Sequence, residues 1–128
     1  MKTHQAVMFA TVVGFAAGAA VTQGLKAQAK APIFQVSEAE MIDAAAYGKE
    51  YAPKAQAAIK AAGGKFLAAG GKVTSIEGDP PKGRLVIIQW DSMEQAQAYR
   101  ASAFFKESLP IRDKYSKFRT FAVEGIAN

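Results

Sequence analysis

Two glutamates, Glu77 and Glu124, are the residues of this sequence best suited to acid–base chemistry. Each lies in a stretch that alternates between apolar and polar positions, so folding is expected to bury it in a cavity. Burial raises the pKa of a carboxyl group and lets it exchange protons with a small carbonyl or phenolic compound. The alternative, which we favour, is that each carboxylate forms a structural ion pair with Arg84, Arg112 or Arg119.

Two arginines and two neutral polar residues form the predicted ligand-binding set. Arg84 and Arg112 carry planar guanidinium groups that can hold an anionic ligand through two parallel N–H bonds. Gln89 lies on the more polar side of its predicted strand, and Tyr51 lies on the inward stripe of a predicted helix. For Tyr51 we favour packing in the core, with the hydroxyl at the rim, over a catalytic phenol.

The composition excludes several classes of site. Cysteine is absent from the sequence, and His4 is its single histidine. The predicted domain therefore has no thiol nucleophile, no disulfide, no His–Asp relay and no imidazole to ligate zinc or haem. We predict no metal and no cofactor. The net charge of +5 is spread over scattered lysines, so nucleic acid is not a predicted partner.

The first 29 residues have the features of an export signal. One lysine and one histidine precede a mostly apolar, uncharged run from Ala6 to Val21, and the small-x-small pattern Ala27–Ala29 marks a cleavage site. The alternative is an uncleaved membrane anchor, but this run extends only roughly 24 Å as a helix, against a bilayer core of about 30 Å. We expect a periplasmic or secreted protein with one domain over residues 30–128, touching the membrane only if the signal is uncleaved.

A strand and a helix are predicted at the start of the domain. Residues 33–40 alternate between apolar and polar positions, as a strand with one apolar face does. Asp43 is placed to cap a helix that ends at Gly63-Gly64. Pro53 lies inside this helix and removes one backbone donor, so we predict a kink near residues 49–52.

A hairpin follows and carries the strongest strand of the chain. Residues 66–77 are predicted to form one strand with a bulge at its Gly-Gly pair, ahead of a Pro/Gly turn. Residues 84–90 are apolar on both faces, which is typical of a central strand covered on both sides. Helical segments are predicted over residues 92–115, the last of them beginning at Pro110, before a closing strand over residues 118–126.

The order strand, helix, strand, strand, helix, strand predicts an α+β, ferredoxin-like fold with a four-stranded antiparallel sheet and both helices on one face. We expect the helices to cover the more apolar set of strand residues, namely Phe34, Val36, Ile76, Val86, Ile88, Trp90, Phe121 and Val123. In the other set, Leu85 and Ile87 need a cover of their own. A second copy of the sheet is the economical cover, which predicts a homodimer whose inter-sheet cavity is lined by the polar residues of this set, namely Gln35, Ser37, Ser75, Glu77, Gln89, Thr120 and Glu124. The register across the Gly-Gly bulge is open, so Ser75 and Glu77 can exchange faces with Thr74 and Ile76.

Spaced Gly-Gly and Glu-Gly pairs run through the domain. They and the residues that accompany them are Gly63-Gly64, Gly70-Gly71, Glu77-Gly78-Asp79, Arg84 to Ile88, Ser92-Met93 with Ala96, Arg112 and Glu124-Gly125. In these elements the chain resembles the domain-of-unknown-function 1330 family, within the dimeric α+β barrel superfamily. It departs at Ala62, where family members often carry histidine. The resemblance implies a ferredoxin-like dimer and no particular reaction.

Two functions remain open from the sequence. The first is an exported homodimer that binds a small molecule in the cavity between its sheets. The second is a cofactor-independent enzyme, monooxygenase-like or isomerase-like, that uses Glu77 or Glu124 with an arginine. Enclosed carboxylates without arginine partners favour the enzyme, whereas paired carboxylates favour binding alone.

Overall fold

The computed structural model describes residues 31–127, so the predicted export signal lies outside the described residues. The strands are β1 (Ile33–Met41), β2 (Lys65–Ala69), β3 (Arg84–Trp90) and β4 (Ser116–Glu124). The helices are α1 (Ala44–Ala46), α2 (Ala52–Ala61), α3 (Met93–Arg100) and α4 (Ala103–Tyr115), and a π-helical turn (Tyr47–Tyr51) joins α1 to α2. Within the described part of the chain, no helix has the length and apolar character needed to cross a membrane.

The four strands form one antiparallel sheet in the order β2-β3-β1-β4. β1 is central and pairs with β3 on one side and with β4 on the other, so that Val36 lies opposite both Ile87 and Phe121. One helical region connects β1 to β2 and the other connects β3 to β4. This arrangement confirms the predicted α+β, ferredoxin-like fold.

Pro53 shapes the first helical region. Asp43 begins α1, and its Oδ1 accepts a hydrogen bond from the Ala46 N–H at 3.0 Å. The chain then widens into the π-helical turn, where the Ala52 N–H donates to the Tyr47 carbonyl. Pro53 lies in the first turn of α2, where its missing N–H costs least. The predicted irregularity before Pro53 is therefore present, in the form of a π-helical turn.

The strand predicted over residues 66–77 is wrong in its second half. Residues 70–83 form a largely exposed loop, and the bulge in β2 lies between Phe66 and Ala68. Gly70 has a φ of +79°, a left-handed conformation that turns the backbone out of the strand. Beyond this turn the chain has left β3, so the alternating residues have no strand with which to pair.

The boundaries near the end of the chain also differ from the prediction. Ser102 caps α4 and separates it from α3, because its Oγ accepts a hydrogen bond from the Phe105 N–H at 3.3 Å. A separate helix beginning at Pro110 is wrong, since Pro110 lies inside α4. The packing of this helix on the sheet offsets the one backbone hydrogen bond that proline removes. β4 begins and ends two residues earlier than the predicted strand over residues 118–126.

The two faces of the sheet have distinct residues. The face beneath the helices, called here the helix face, includes Ile33, Gln35, Ser37, Ala39, Phe66, Arg84, Val86, Ile88, Trp90, Phe118 and Thr120, and it continues into the exposed Ala122 and Glu124 at the end of β4. The opposite face, called here the open face, consists of Phe34, Val36, Glu38, Leu85, Ile87, Gln89, Arg119, Phe121 and Val123. The helices thus cover only one side of the sheet.

The predicted face assignment is correct for β3 and wrong for β1 and β4. Val86, Ile88 and Trp90 lie beneath the helices as predicted. Side chains directly opposite each other on paired strands share a face, and Gln35 is opposite Ile88. The register therefore draws Gln35 and its neighbours under the helices and turns the apolar row that includes Phe34 to the open face.

Candidate functional site

A cavity lies between the helix face and the helices. Its aromatic lining is Tyr47, Tyr51, Phe66, Tyr99, Phe105 and Phe118, and its polar lining is Gln35, Ser37, Gln56, Arg84, Arg100, Arg112 and Thr120. The cavity volume is about 50 Å³, enough for roughly three to five water molecules. A ligand larger than this has to displace side chains at the rim.

Three guanidinium groups line this cavity, each on a different element. Arg84 begins β3, where its Nη2 donates to the Ala69 carbonyl at 3.3 Å and its buried Nε has no hydrogen-bond partner among the described residues. Arg112 on α4 donates from Nε to Asp113 Oδ1 at 3.0 Å. At the end of α3, burial lowers the pKa of Arg100, and the like charge of Arg112 lowers it further. The cavity is therefore positively charged.

Close packing holds two of these arginines in place. The Arg112 Cζ lies 4.3 Å from the centre of the Phe118 ring, and the Arg84 Cζ lies 6.0 Å from that of Tyr47. Both distances allow attraction between the cation and the ring. A Cβ atom on Gly70 would lie 2.7 Å from the Arg84 Cζ. Glycine at this position thus leaves the guanidinium its space beside the cavity.

Three buried tyrosines lie beside the arginines. Burial raises the pKa of Tyr47 and of Tyr51 above the ordinary value of 10.0, against the opposing effect of nearby arginines. Burial also raises the pKa of Tyr99 to about 12, with a smaller contribution from Tyr51. The three phenols therefore stay neutral near pH 7 and can donate hydrogen bonds to a ligand.

The polar strand residues of the cavity form hydrogen bonds with other strand residues. The Trp90 Nε1 donates to Gln35 Oε1 at 3.0 Å, within the buried core. The hydroxyls of Ser37 and Thr120 are hydrogen-bonded to each other at 3.0 Å, from directly opposite positions of β1 and β4. These bonds satisfy polar groups that burial removes from water. They hold the wall of the cavity in shape.

The structure brings together three of the four predicted ligand-binding residues. Arg84, Arg112 and Tyr51 line the cavity. Gln89 is on the open face and does not line it. The cavity that contains the three residues is the one beneath the helices, inside a single chain, and not one between two sheets.

The two predicted catalytic glutamates are not part of this cavity. Glu77 is exposed in the loop after β2, and Glu124 is exposed at the end of β4. Within residues 31–127 neither of them forms an ion pair with an arginine, and Arg119 pairs instead with Glu38 at 2.8 Å. No carboxylate of the described residues lines the cavity, and none of their acidic groups form a cluster able to hold a metal ion. A catalytic role for the two glutamates has no support from the geometry of this cavity.

Sequence reasoning missed several residues of the site. Arg100 was not predicted to contribute, Gln35 was expected in a cavity between two sheets rather than beneath the helices, and Tyr99 was expected to pack in the core with its hydroxyl at the rim. One signal was available for Gln35, because the row at every second residue of β1 begins with Ile33 and ends with Ala39, both apolar. The other row of β1 ends in two carboxylates, Glu38 and Glu40, which are rarely buried. For Arg100, no pattern in the sequence separates it from a surface arginine.

Solved structures with the same fold support this architecture. RPA0582, a protein of unknown function from Rhodopseudomonas palustris, is 15% identical with a TM-score of 0.57, over 77% of this chain and 85% of that chain. SnoaB, a cofactor-independent oxygenase from Streptomyces nogalater, is 12% identical with a TM-score of 0.57, over 77% and 96%. A conserved protein of unknown function from Bacteroides thetaiotaomicron, described as a possible oxidoreductase, is 16% identical with a TM-score of 0.51, over 75% and 99%. At these identities the likeness shows the fold alone.

The family follows from the sequence match. No curated protein is significantly similar to this chain. Residues 32–126, which include every strand and helix described above, match a domain of unknown function, DUF1330. The resemblance inferred from the spaced glycine pairs is confirmed. The chain therefore belongs to the DUF1330 family, and it shares its α+β fold with SnoaB.

Proposed function

We propose that this protein binds a small organic anion in the cavity between its sheet and its helices. One observation carries the proposal: Arg84, Arg100 and Arg112 line the cavity, and no carboxylate of residues 31–127 lines it with them. Positive charges that share a partly desolvated space repel one another unless an anion compensates them. An anionic ligand gains charge-assisted hydrogen bonds that the empty cavity lacks.

The rest of the lining suits a ligand with an apolar carbon skeleton. Rings of Phe66 and Phe105 and aliphatic side chains of Val86 and Ile88 form much of the wall. Apolar walls with a few well-placed polar groups are typical of small-molecule sites. The expected ligand is a small organic compound with one negatively charged group.

Thermal unfolding in the presence of small organic anions tests this function. Carboxylates, sulfonates and phosphate esters are compared with neutral analogues, because binding to the folded state raises the unfolding midpoint by mass action. Arg100→Gln is expected to abolish the rise caused by an anion. Lys106→Gln, which removes the same charge from an exposed position of α4, keeps it. A protein that no organic anion stabilises contradicts the proposal.

A second candidate is a cofactor-independent enzyme. The observation that favours it is the fold shared with SnoaB, which is described as a cofactor-independent oxygenase and of which the alignment covers 96%. Any such chemistry in this cavity has arginines and neutral tyrosines to work with rather than glutamates. Aerobic incubation of each stabilising compound with the protein, followed by mass spectrometry, tests this candidate. Compounds recovered unchanged favour binding alone.

We further propose that two copies associate through the open face. Phe121 and Val123 are 48% and 55% exposed in the single chain, and Phe34, Val36 and Ile87 are only partly covered. A contiguous apolar sheet face of this kind is unusual on a monomer and marks an interaction surface. A second copy of the same sheet presents a complementary surface in an isologous dimer. A sedimentation mass equal to one chain at micromolar concentration contradicts this proposal.

The last part of the proposal is export to the periplasm or medium, with cleavage after Ala29. It rests on the charged start, the apolar run and the small-x-small pattern of the first 29 residues. Mass spectrometry of the protein recovered from its native compartment is expected to give a chain that begins at Lys30. A chain that retains Met1 to Ala29 contradicts cleavage and favours a membrane anchor.

A further inference from the structure

The Tyr99 hydroxyl can donate a hydrogen bond, but it makes none within residues 31–127. Its oxygen is buried and has no hydrogen-bond partner among residues 31–127. The ring is held between two others, stacked on Trp90 at 5.9 Å and edge-on to Phe105 at 5.6 Å between ring centres. The hydroxyl therefore cannot turn into solvent without disrupting the core. A buried donor without a partner is costly, so a bound acceptor stabilises it.

Two guanidinium groups lie at the same end of the cavity. The Arg100 Cζ is 4.5 Å from the centre of the Phe105 ring, and the Arg112 Cζ is 5.9 Å from it. Both groups line the cavity together with Tyr99. Within the described chain Arg100 has no carboxylate partner, and the carboxylate bonded to Arg112 Nε, that of Asp113, is 54% exposed. This end of the cavity thus combines positive charge with an unused neutral donor.

We propose that a carboxylate occupies this end of the cavity, with its oxygens bound by Arg100 and Arg112 and by the Tyr99 hydroxyl. The inference rests on the proposed function and narrows it to one class of ligand. All three groups are donors, so the ligand group has to be an acceptor with negative charge. A planar carboxylate matches the planar fork of an arginine. The cavity volume of about 50 Å³ takes roughly three to five heavy atoms, which is the size of the shortest carboxylic acids.

The test uses propanoate, with propanamide as the neutral compound of the same shape and ethanesulfonate as an anion with a tetrahedral group. Amide resonances of the full domain are followed by NMR during titration. Propanoate is expected to bind, and propanamide and ethanesulfonate to bind at least tenfold more weakly. Equal binding of propanoate and ethanesulfonate overturns the carboxylate assignment while leaving anion binding intact. If neither anion shifts the resonances of cavity residues but another organic anion raises the unfolding midpoint, the carboxylate inference alone fails; if no organic anion does either, the proposed function itself fails.

Variants locate the carboxylate within the cavity. Tyr99→Phe is expected to weaken propanoate binding about tenfold, the loss of one hydrogen bond to a charged group. It leaves the unfolding midpoint of the empty protein unchanged or higher, because it removes a buried hydroxyl without a partner. A purely structural role for Tyr99 gives the opposite pattern, with a lower midpoint and unchanged binding, and overturns the inference.

A comparison of two arginines completes the test. Arg100→Gln and Arg84→Gln each remove one positive charge from the lining of the same cavity. If the carboxylate lies beside Tyr99, Arg100→Gln weakens propanoate binding at least tenfold more than Arg84→Gln does. Equal losses in the two variants mean that only the overall charge matters, which overturns the location but not the proposed function.

Discussion

The two faces of the sheet divide polar and apolar residues in an unexpected way. The helix face contains Gln35, Ser37 and Thr120 beneath the helices, whereas the open face presents Phe34 and Phe121 to the outside. The buried polar groups are tolerated because they are hydrogen-bonded, as are Gln35 with Trp90 and Ser37 with Thr120. The helix face therefore carries hydrogen-bonded polar residues that line the cavity.

The open face differs because no element of the described chain covers it. Its apolar residues surround a single close ion pair, between Arg119 and Glu38, in which the arginine side chain is 69% exposed. Surface ion pairs contribute little free energy, so the apolar residues of this face are expected to determine how strongly it associates. One face thus encloses a small polar cavity, whereas the other is the proposed interface with a second copy. Three predictions test this division.

The largest effect is expected on the open face. Phe121→Asp places a charge in the proposed interface, where desolvation without a partner weakens association about 100-fold or more. Sedimentation velocity over a range of concentrations measures the change. Ile76→Asp is the matched control, because Ile76 is 97% exposed in the loop after β2 and does not belong to the sheet. If Phe121→Asp sediments like the unmodified protein, the open face is not the interface.

An effect of intermediate size is expected on stability, and it differs between the two adjacent isoleucines of β3. Ile88 is 3% exposed on the helix face, and Ile88→Ala is expected to lower the free energy of unfolding by about 3 kcal/mol. Ile87 points to the open face. Ile87→Ala is therefore expected to have an effect that grows with protein concentration, since it acts through association.

Chemical denaturation at two protein concentrations measures both variants. The loss in Ile88→Ala should be the same at each concentration. If the loss in Ile87→Ala is also independent of concentration and of equal size, the two faces do not differ in the way described here.

The smallest effect concerns the phenol of Tyr99, which lies in the cavity above the helix face. The folded-state pKa of Tyr99 is about 12, above the ordinary value of 10.0 that applies to the unfolded chain. The folded state therefore holds this proton more tightly, so the contribution to stability is complete below pH 10 and is lost as the pH rises through 12. We expect a loss of about 1 kcal/mol after allowance for solvent screening.

Unfolding free energies of the unmodified protein and Tyr99→Phe, measured near pH 9 and near pH 11.5, isolate this contribution. The unmodified protein should lose more stability between the two pH values than the variant does. Tyr47 and Tyr51 are present in both proteins, so their own raised pKa values cancel in the difference. Parallel losses mean that Tyr99 is not enclosed in the folded state.

Much of the fold was predictable because its signals are local. Alternation over β1 and the apolar run of β3 predict two strands. The cap at Asp43 is a short-range hydrogen bond that a few residues specify. The prediction of a strand beyond Gly70 was wrong because a strand has to pair with a neighbouring strand. Whether a neighbouring strand lies alongside is not a local property of the sequence.

The candidate site was predictable only in part. Arg84, Arg112 and Tyr51 were recognised by residue type, since guanidinium and phenol groups suit an anionic ligand. The sequence did not show that these residues lie close to Arg100, because the four side chains come from β3, two helices and the π-helical turn. The exposure of Glu77 and Glu124 in the single chain was not predictable either, because a carboxylate in an alternating stretch is equally compatible with a cavity and with solvent.

The sequence determines the order of elements, the caps and the two-residue period of each strand, because these depend on neighbours along the chain. That period divides strand residues into two rows without stating which row is covered. The tertiary structure makes this choice: once Ile88 and Trp90 pack beneath the helices, the strand register brings Gln35 with them and leaves Phe34 on the open face. Packing between distant elements therefore decides where the cavity lies and which charges meet in it.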